Sequence, residues 1–250
     1  MSKNDSLLVE WTAEGLLDEI SMLNNKMDDR SLAFILGAGA SVTSGIPAAG
    51  VLAKNWLNES YSRHCLEIDQ SIESWAAKEF SDSDFDLADT AAFYPKIFKS
   101  RFGGDPQSGY AALEAEMEDA EPSLGYSLLG KILAETRHKV VVTTNFDNLV
   151  ADALAIHALR SPLIVGHESL AGFVRPSLSR PLVAKIHRDL HLHPKNDQGE
   201  VDDLETAWEE ALTSLFQHYT PLVIGYGGND GSLMDLLEGL PPGHIPGRLF

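Results

Sequence analysis

Four short stretches of the chain carry residue types that could do chemistry together. The first is Gly37-Ala38-Gly39-Ala40-Ser41, followed by Gly45-Ile46-Pro47. Glycines permit a tight turn and let a ligand approach bare backbone. A helix N-terminus just beyond would offer free N–H groups to a phosphate. The second is Thr143-Thr144-Asn145-Phe146-Asp147. Asn145 can donate and accept hydrogen bonds, and Asp147 points the same way if the segment is extended. The third is Lys185-Ile186-His187-Arg188-Asp189. His187 can act as a general base, because an imidazole ordinarily titrates at about 6.5. The fourth is Gly225-Tyr226-Gly227-Gly228-Asn229-Asp230, whose glycines allow a backbone cradle for ribose or phosphate.

Taken singly, each stretch has a plainer use. The first lacks the third glycine of the dinucleotide fingerprint and could be an ordinary strand-to-helix turn. Asn-Phe-Asp could be the N-cap of a helix through Leu149 and Leu154. His187 could be a satisfied structural histidine, and the last stretch a plain loop. His191 and His193 stand near His187, but a metal would need further converging ligands that the sequence does not offer, so no metal is expected. His187-Arg188-Asp189-Leu190 mimics a kinase catalytic loop. That loop needs Asn five residues after its Asp, where Pro194 stands, and Asp-Phe-Gly is absent.

The elements that must hold these stretches read as strands alternating with helices. Leu32–Leu36 is a continuous apolar run, Lys139–Thr143 is rich in valine, and Pro162–Val165, Leu182–Ile186 and Pro221–Ile224 are further short strands. Helical spacing appears over 11–27 (Leu16, Ile20, Leu23, Met27) and over Val51–Tyr61, a crossover helix with Val51, Leu52, Trp56 and Leu57 in its apolar set. Val201–Phe216 and Ser232–Glu238 read as helices too. The alternation predicts an α/β protein with a doubly wound, mostly parallel, Rossmann-like sheet. Each motif falls at the carboxyl end of a strand, where such sheets bind ligands.

Residues 66–135 break this rhythm and read as a helical insertion or lid. Phe85, Leu87, Ala92, Phe93, Ile97 and Phe98 suggest a helix that Pro95 kinks or breaks. Helices follow over Tyr110–Met117 and Ser123–Thr136. The expected organisation is one domain over 1–250, with a core of 30–65 and 138–240. Its last residues, Pro246-Gly247-Arg248-Leu249-Phe250, resemble the lead-in to another strand, so a longer parent protein is expected.

The formal net charge of −18 repels phosphate backbones and anionic membranes, so direct nucleic-acid or membrane binding is not expected. No apolar run approaches the roughly 18 residues of a membrane span. Cys65 is the only cysteine, which rules out internal disulfides and fits a reducing cytoplasm.

Together, the four motifs resemble those of the sirtuin-like superfamily. Gly37-Ala38-Gly39-Ala40-Ser41 with Gly45-Ile46-Pro47 is similar to its nucleotide loop, and Thr143-Thr144-Asn145-Phe146-Asp147 to its Thr-x-Asn-x-Asp signature. Lys185-Ile186-His187 resembles its catalytic-histidine strand. Val223–Asp230 is similar to the nucleotide-contacting loop of the bacterial branch found in anti-phage defence proteins. The resemblance implies NAD as substrate, cleaved at the nicotinamide–ribose bond by a glycohydrolase. His187 would be the base, Asn145 would orient the ribose hydroxyls or the attacking water, and Asp147 would engage the nicotinamide amide. Gly37, Ala38, Gly39 and Ser41 would hold the pyrophosphate, with Ile46, Pro47 and Thr144 beside them. Gly225, Gly227, Asn229 and Asp230 would contact the far ribose and phosphate. A regulated NAD-depleting effector is implied, as a homo-oligomer with a partner subunit or fused domain that senses a trigger.

Three departures bear on this. One cysteine cannot build the four-cysteine zinc module of the family's protein deacylases. Ala48-Ala49-Gly50 replaces the Phe-Arg that follows Gly-Ile-Pro in those enzymes. Both speak against deacylation. Arg188 stands where the family has glycine and could either occlude the pocket or reach a phosphate. The alternatives are a catalytically weakened NAD- or ADP-ribose-binding or assembly module and, last, an NAD-dependent deacylase.

Overall fold

The structure, a computed structural model, describes residues 10–65, 69–81, 85–192, 194, 204, 206–228 and 231–250. Its strands are β1 (Ser31–Leu36), β2 (Val140–Thr143), β3 (Leu163–Val165), β4 (Leu182–Lys185) and β5 (Tyr219–Ile224). They form one sheet in the order β3-β4-β2-β1-β5, with every neighbouring pair parallel. Helices cover both faces, as the continuous apolar runs require. On one face lie α1 (Ala13–Lys26), α6 (Leu124–Glu135) and α7 (Leu149–Ala158), packed on Leu32, Phe34 and Val141. On the other lie α8 (Thr206–Phe216) and α9 (Gly231–Gly239), packed on Ala33, Ile35, Val140 and Val142.

A third hydrophobic cluster stands off the sheet. It joins α2 (Ala49–His64), α3 (Ile72–Glu79), α4 (Tyr94–Phe102) and α5 (Pro106–Ala115) around Leu52, Trp56, Leu57, Trp75, Ile97 and Phe98. The expected crossover helix at 51–61 is therefore part of the helical layer. The helix at the end of the expected insertion, α6, instead covers the sheet. Apolar spacing marks a buried face but not the surface it meets. Two further expectations change. Val51 is 52% exposed rather than part of the apolar set. Pro95 sits in the first turn of α4, where its missing N–H is not needed, and so opens that helix instead of kinking it. Of the expected helix over 201–216, residues 201–203 and 205 lie outside the described residues.

The register brings the four motifs together. Leu36 pairs with Thr143 and Ile224, and Thr143 pairs with Lys185, so these four residues form one row across the sheet. The chain leaves that row at Gly37, Thr144, Ile186 and Gly225. At the outer edge of β5, the Phe250 N–H donates to Pro221 O (3.1 Å) and Val223 N–H donates to Phe250 O (2.7 Å). The stretch read as a strand lead-in thus runs back along β5.

Candidate functional site

Above the row lies a cavity of about 330 Å³, within the range of small-molecule sites. Of the expected site residues, Ala38, Gly39, Ser41, Ile46, Pro47, Thr144, Asn145, Asp147, His187, Gly225 and Gly227 line it. Gly37 does not, and Asn229 and Asp230 lie outside the described residues. The helical layer supplies the facing wall through Leu52, Ala91, Tyr94, Pro95, Leu113, Glu116 and Met117. None of these was expected to line a site.

The glycines act on each other as much as on any ligand. The Gly37 N–H donates to Ile224 O (3.1 Å) and the Gly39 N–H to Gly225 O (2.9 Å). A Cβ on Gly37 would lie 2.4 Å from Tyr226 Cα, and one on Gly225, whose φ is +64°, would lie 2.2 Å from Ala40 N. The two loops interlock only because these positions lack side chains. The Gly37 and Gly39 amides are thus committed within the protein. Of residues 37–39, Ala38 has the amide without an internal acceptor. The expected phosphate-facing helix is a 3-10 turn, Ala38–Ser44, closed by Gly45 at φ +96°.

Under this turn lies a saturated polar knot. Ser41 Oγ donates to Asp147 Oδ2 (2.7 Å), so Tyr126 must give its hydroxyl proton to Ser41 Oγ across 2.9 Å. Asn145 Nδ2 donates to Gly37 O (3.0 Å) and Ser41 Oγ (3.1 Å). Gly37 O only accepts, which fixes the amide orientation and leaves Oδ1 as the group Asn145 can offer a substrate. Ser41 is 1% exposed, and its hydroxyl has no capacity left for a phosphate. Burial, reinforced by the Asp147 charge, pushes the Tyr126 hydroxyl well above its usual range and keeps it protonated. Asp147 Oδ1 also accepts from Leu149 N–H (3.2 Å), so the plainer capping use is real as well.

His187 faces the cavity, with Nε2 3.3 Å from Ser232 Oγ at the start of α9. Arg188 neither occludes the cavity nor reaches into it. Its φ of +68° lets it take the left-handed conformation a glycine would adopt. Its guanidinium forks onto Glu168, with Nε to Oε2 at 2.9 Å and Nη2 to Oε1 at 2.6 Å. Burial pushes the Glu168 carboxyl up, and the Arg188 fork more than offsets this, holding it below the usual range. His191 is not among the lining residues, and His193 is outside the described residues. Among the described residues, no group of three or more His, Cys, Asp or Glu is placed to hold a metal. Likewise, none of their helices is long and apolar enough to cross a membrane.

An amide, a carboxylate and an imidazole are thus gathered with backbone loops at the carboxyl edge of a parallel α/β sheet, where such sheets bind ligands. Residues 139–241 match the family model described as the SIR2-like domain. No curated protein matches the chain.

Proposed function

We propose that this chain is an NAD glycohydrolase that splits NAD and water into ADP-ribose and nicotinamide, releasing one proton. The observation that carries the reading is the meeting of Asn145, Asp147 and His187 in one cavity beneath the interlocked glycine loops of a sirtuin-like domain. The nicotinamide–ribose bond breaks first, and its electron pair leaves with neutral nicotinamide. Water then adds to the oxocarbenium-like C1′ and passes its proton towards His187. Asn145 Oδ1 orients that water or a ribose hydroxyl, while Asp147 engages the nicotinamide amide. No lysine or arginine is among the described lining residues, so an anionic pyrophosphate would be met by backbone N–H groups such as that of Ala38. The Arg188 guanidinium is engaged by Glu168, and Arg188 does not line the cavity.

The sirtuin-like resemblance supports a wider reading. The chain acts in the cytoplasm as a regulated NAD-depleting effector of anti-phage defence, in a homo-oligomer with a trigger-sensing partner subunit or fused domain. Light scattering after size exclusion tests the assembly, and a strict monomer speaks against it. The activity is tested by nicotinamide release on HPLC, with calorimetry of NAD binding alongside. His187→Ala should lose on the order of 10²–10⁴ in rate while keeping its fold. Full activity in that variant would remove His187 as the base.

A further inference from the structure

The geometry points to Lys185 as a positioning residue that fastens the two segments carrying the proposed catalytic groups into one unit. Lys185 ends β4, and its side chain is only 2% exposed. A buried ammonium is costly unless paired and hydrogen-bonded. Its three N–H donors go to three acceptors, each at 2.8 Å: Phe146 O, Asn148 Oδ1 and Asp189 Oδ2. The first two belong to the segment that places Asn145 and Asp147. The third follows His187 by two residues.

The Phe146 carbonyl lies in the peptide between Asn145 and Asp147, so holding it sets the backbone that aims both side chains. Asp189 is held on its other side, where its N–H donates to Gly166 O (2.9 Å). Burial pushes the Asp189 carboxyl up, and the Lys185 contact more than offsets this, holding it below the usual range. Lys185 also supplies positive charge beside Asp147 and Asp152. Burial and the Asp147 charge push the Asp152 carboxyl up, and Lys185 opposes them. Lys185 does not line the large cavity, so it acts through its neighbours and not on substrate.

This inference rests on the glycohydrolase reading for its kinetic consequence, and a second readout stands apart from that reading. Lys185→Met should lower kcat on the order of 10²-fold, because small misplacements of reacting groups carry costs of that size. KM for NAD should change less than about threefold, since the glycine loops are untouched. Leu133→Val, a fully buried position outside the cavity lining, is the destabilised control and should keep its kcat. In hydrogen exchange, Lys185→Met should raise exchange over 144–149 and 187–191 together and leave β1 and β5 unchanged. Asn148→Ala removes one of the three acceptors from an exposed position and should give a smaller change of the same pattern, so it carries the test if Lys185→Met does not fold. Wild-type kcat in these variants, or loosening of only one segment, would overturn the clamp. If wild-type protein neither releases nicotinamide nor binds NAD in calorimetry, the glycohydrolase reading fails, and hydrogen exchange still decides the clamp.

Discussion

The two edges of the sheet carry buried polar knots of similar density, and they serve different ends. At the amino edge, the Arg137 guanidinium donates to the carbonyls of Leu23, Asn24, Met27 and Arg30 at 2.6–3.0 Å. His138 Nδ1 accepts from Leu32 N–H (3.0 Å), which places the ring proton on Nε2, facing Asn24 Oδ1 at 3.1 Å. These contacts tie the C-terminal end of α1 to the first strands, and the carbonyls they satisfy would otherwise lack partners. At the carboxyl edge, the Ser41–Tyr126–Asn145–Asp147 knot and the Lys185 clamp lie directly under or beside the cavity. Buried polar side chains alone do not separate structure from function. Their place relative to the carboxyl ends of the strands does.

The sharpest way to break this contrast is to push the carboxyl-edge loops apart. Gly37→Ala puts a Cβ 2.4 Å from Tyr226 Cα and 2.6 Å from Gly225 O, both backbone atoms that cannot rotate away. Overpacking of this kind typically costs about 1–3 kcal/mol. Displacing the loop that roofs the cavity should cost far more in function, on the order of 10²-fold in kcat/KM. Calorimetry and nicotinamide release on a sample shown to be folded by circular dichroism check this. Unchanged NAD binding would mean that the interlock is only scaffolding.

The amino edge should fail differently, through stability and through acid. Burial, aided by the neighbouring Arg137 charge, pulls the His138 imidazole down to about 4. Its unfolded value is the ordinary one of about 6.5. Between those values the unfolded chain binds a proton that the folded chain refuses, so stability is full above 6.5 and falls as pH drops towards 4. Each pH unit inside that window costs at most about 1.4 kcal/mol. Urea unfolding at pH 7 and pH 5 should show the loss. His138→Asn should be less stable at pH 7 and change less between the two values. An undiminished change in that variant would move the acid sensitivity elsewhere.

Much of the carboxyl edge was legible because it rests on local signals. Glycines where backbones must touch, and valine or leucine runs buried on both faces, point to strand ends in any parallel sheet. The facing wall was not legible. Tyr94 and Leu113 come from helices whose spacing shows a buried side but not its partner, and Met117 from the turn after α5. The same ambiguity exchanged the roles of α2 and α6. Lys185 had a signal that went unused, since a lone lysine in Leu182-Val183-Ala184-Lys185-Ile186 interrupts a run buried on both faces and therefore needs acceptors. Arg137 next to His138 at the start of a strand is the same kind of signal at the other edge.

Arg188 offers the smallest effect and the finest test of the boundary between the edge that acts and the frame that holds it. It follows His187 directly, yet its side chain turns outward to Glu168. Removing the fork should therefore leave kcat and KM within about threefold, although the position is one residue from the proposed base. The backbone makes a second demand. At φ +68° an L-residue is strained, by roughly 1–2 kcal/mol in fully left-handed backbone, and glycine is not. Arg188→Gly and Arg188→Ala lose the same ion pair, itself worth about 1 kcal/mol or less at this partly exposed position. Glycine should nevertheless be the more stable of the two by about 1 kcal/mol, the reverse of their order in an ordinary helix. Thermal unfolding of the two variants reads that difference directly. Alanine equal to glycine would mean that the turn relaxes once the fork is gone. A large loss of kcat in both would place Arg188 with the catalytic edge, not with its frame.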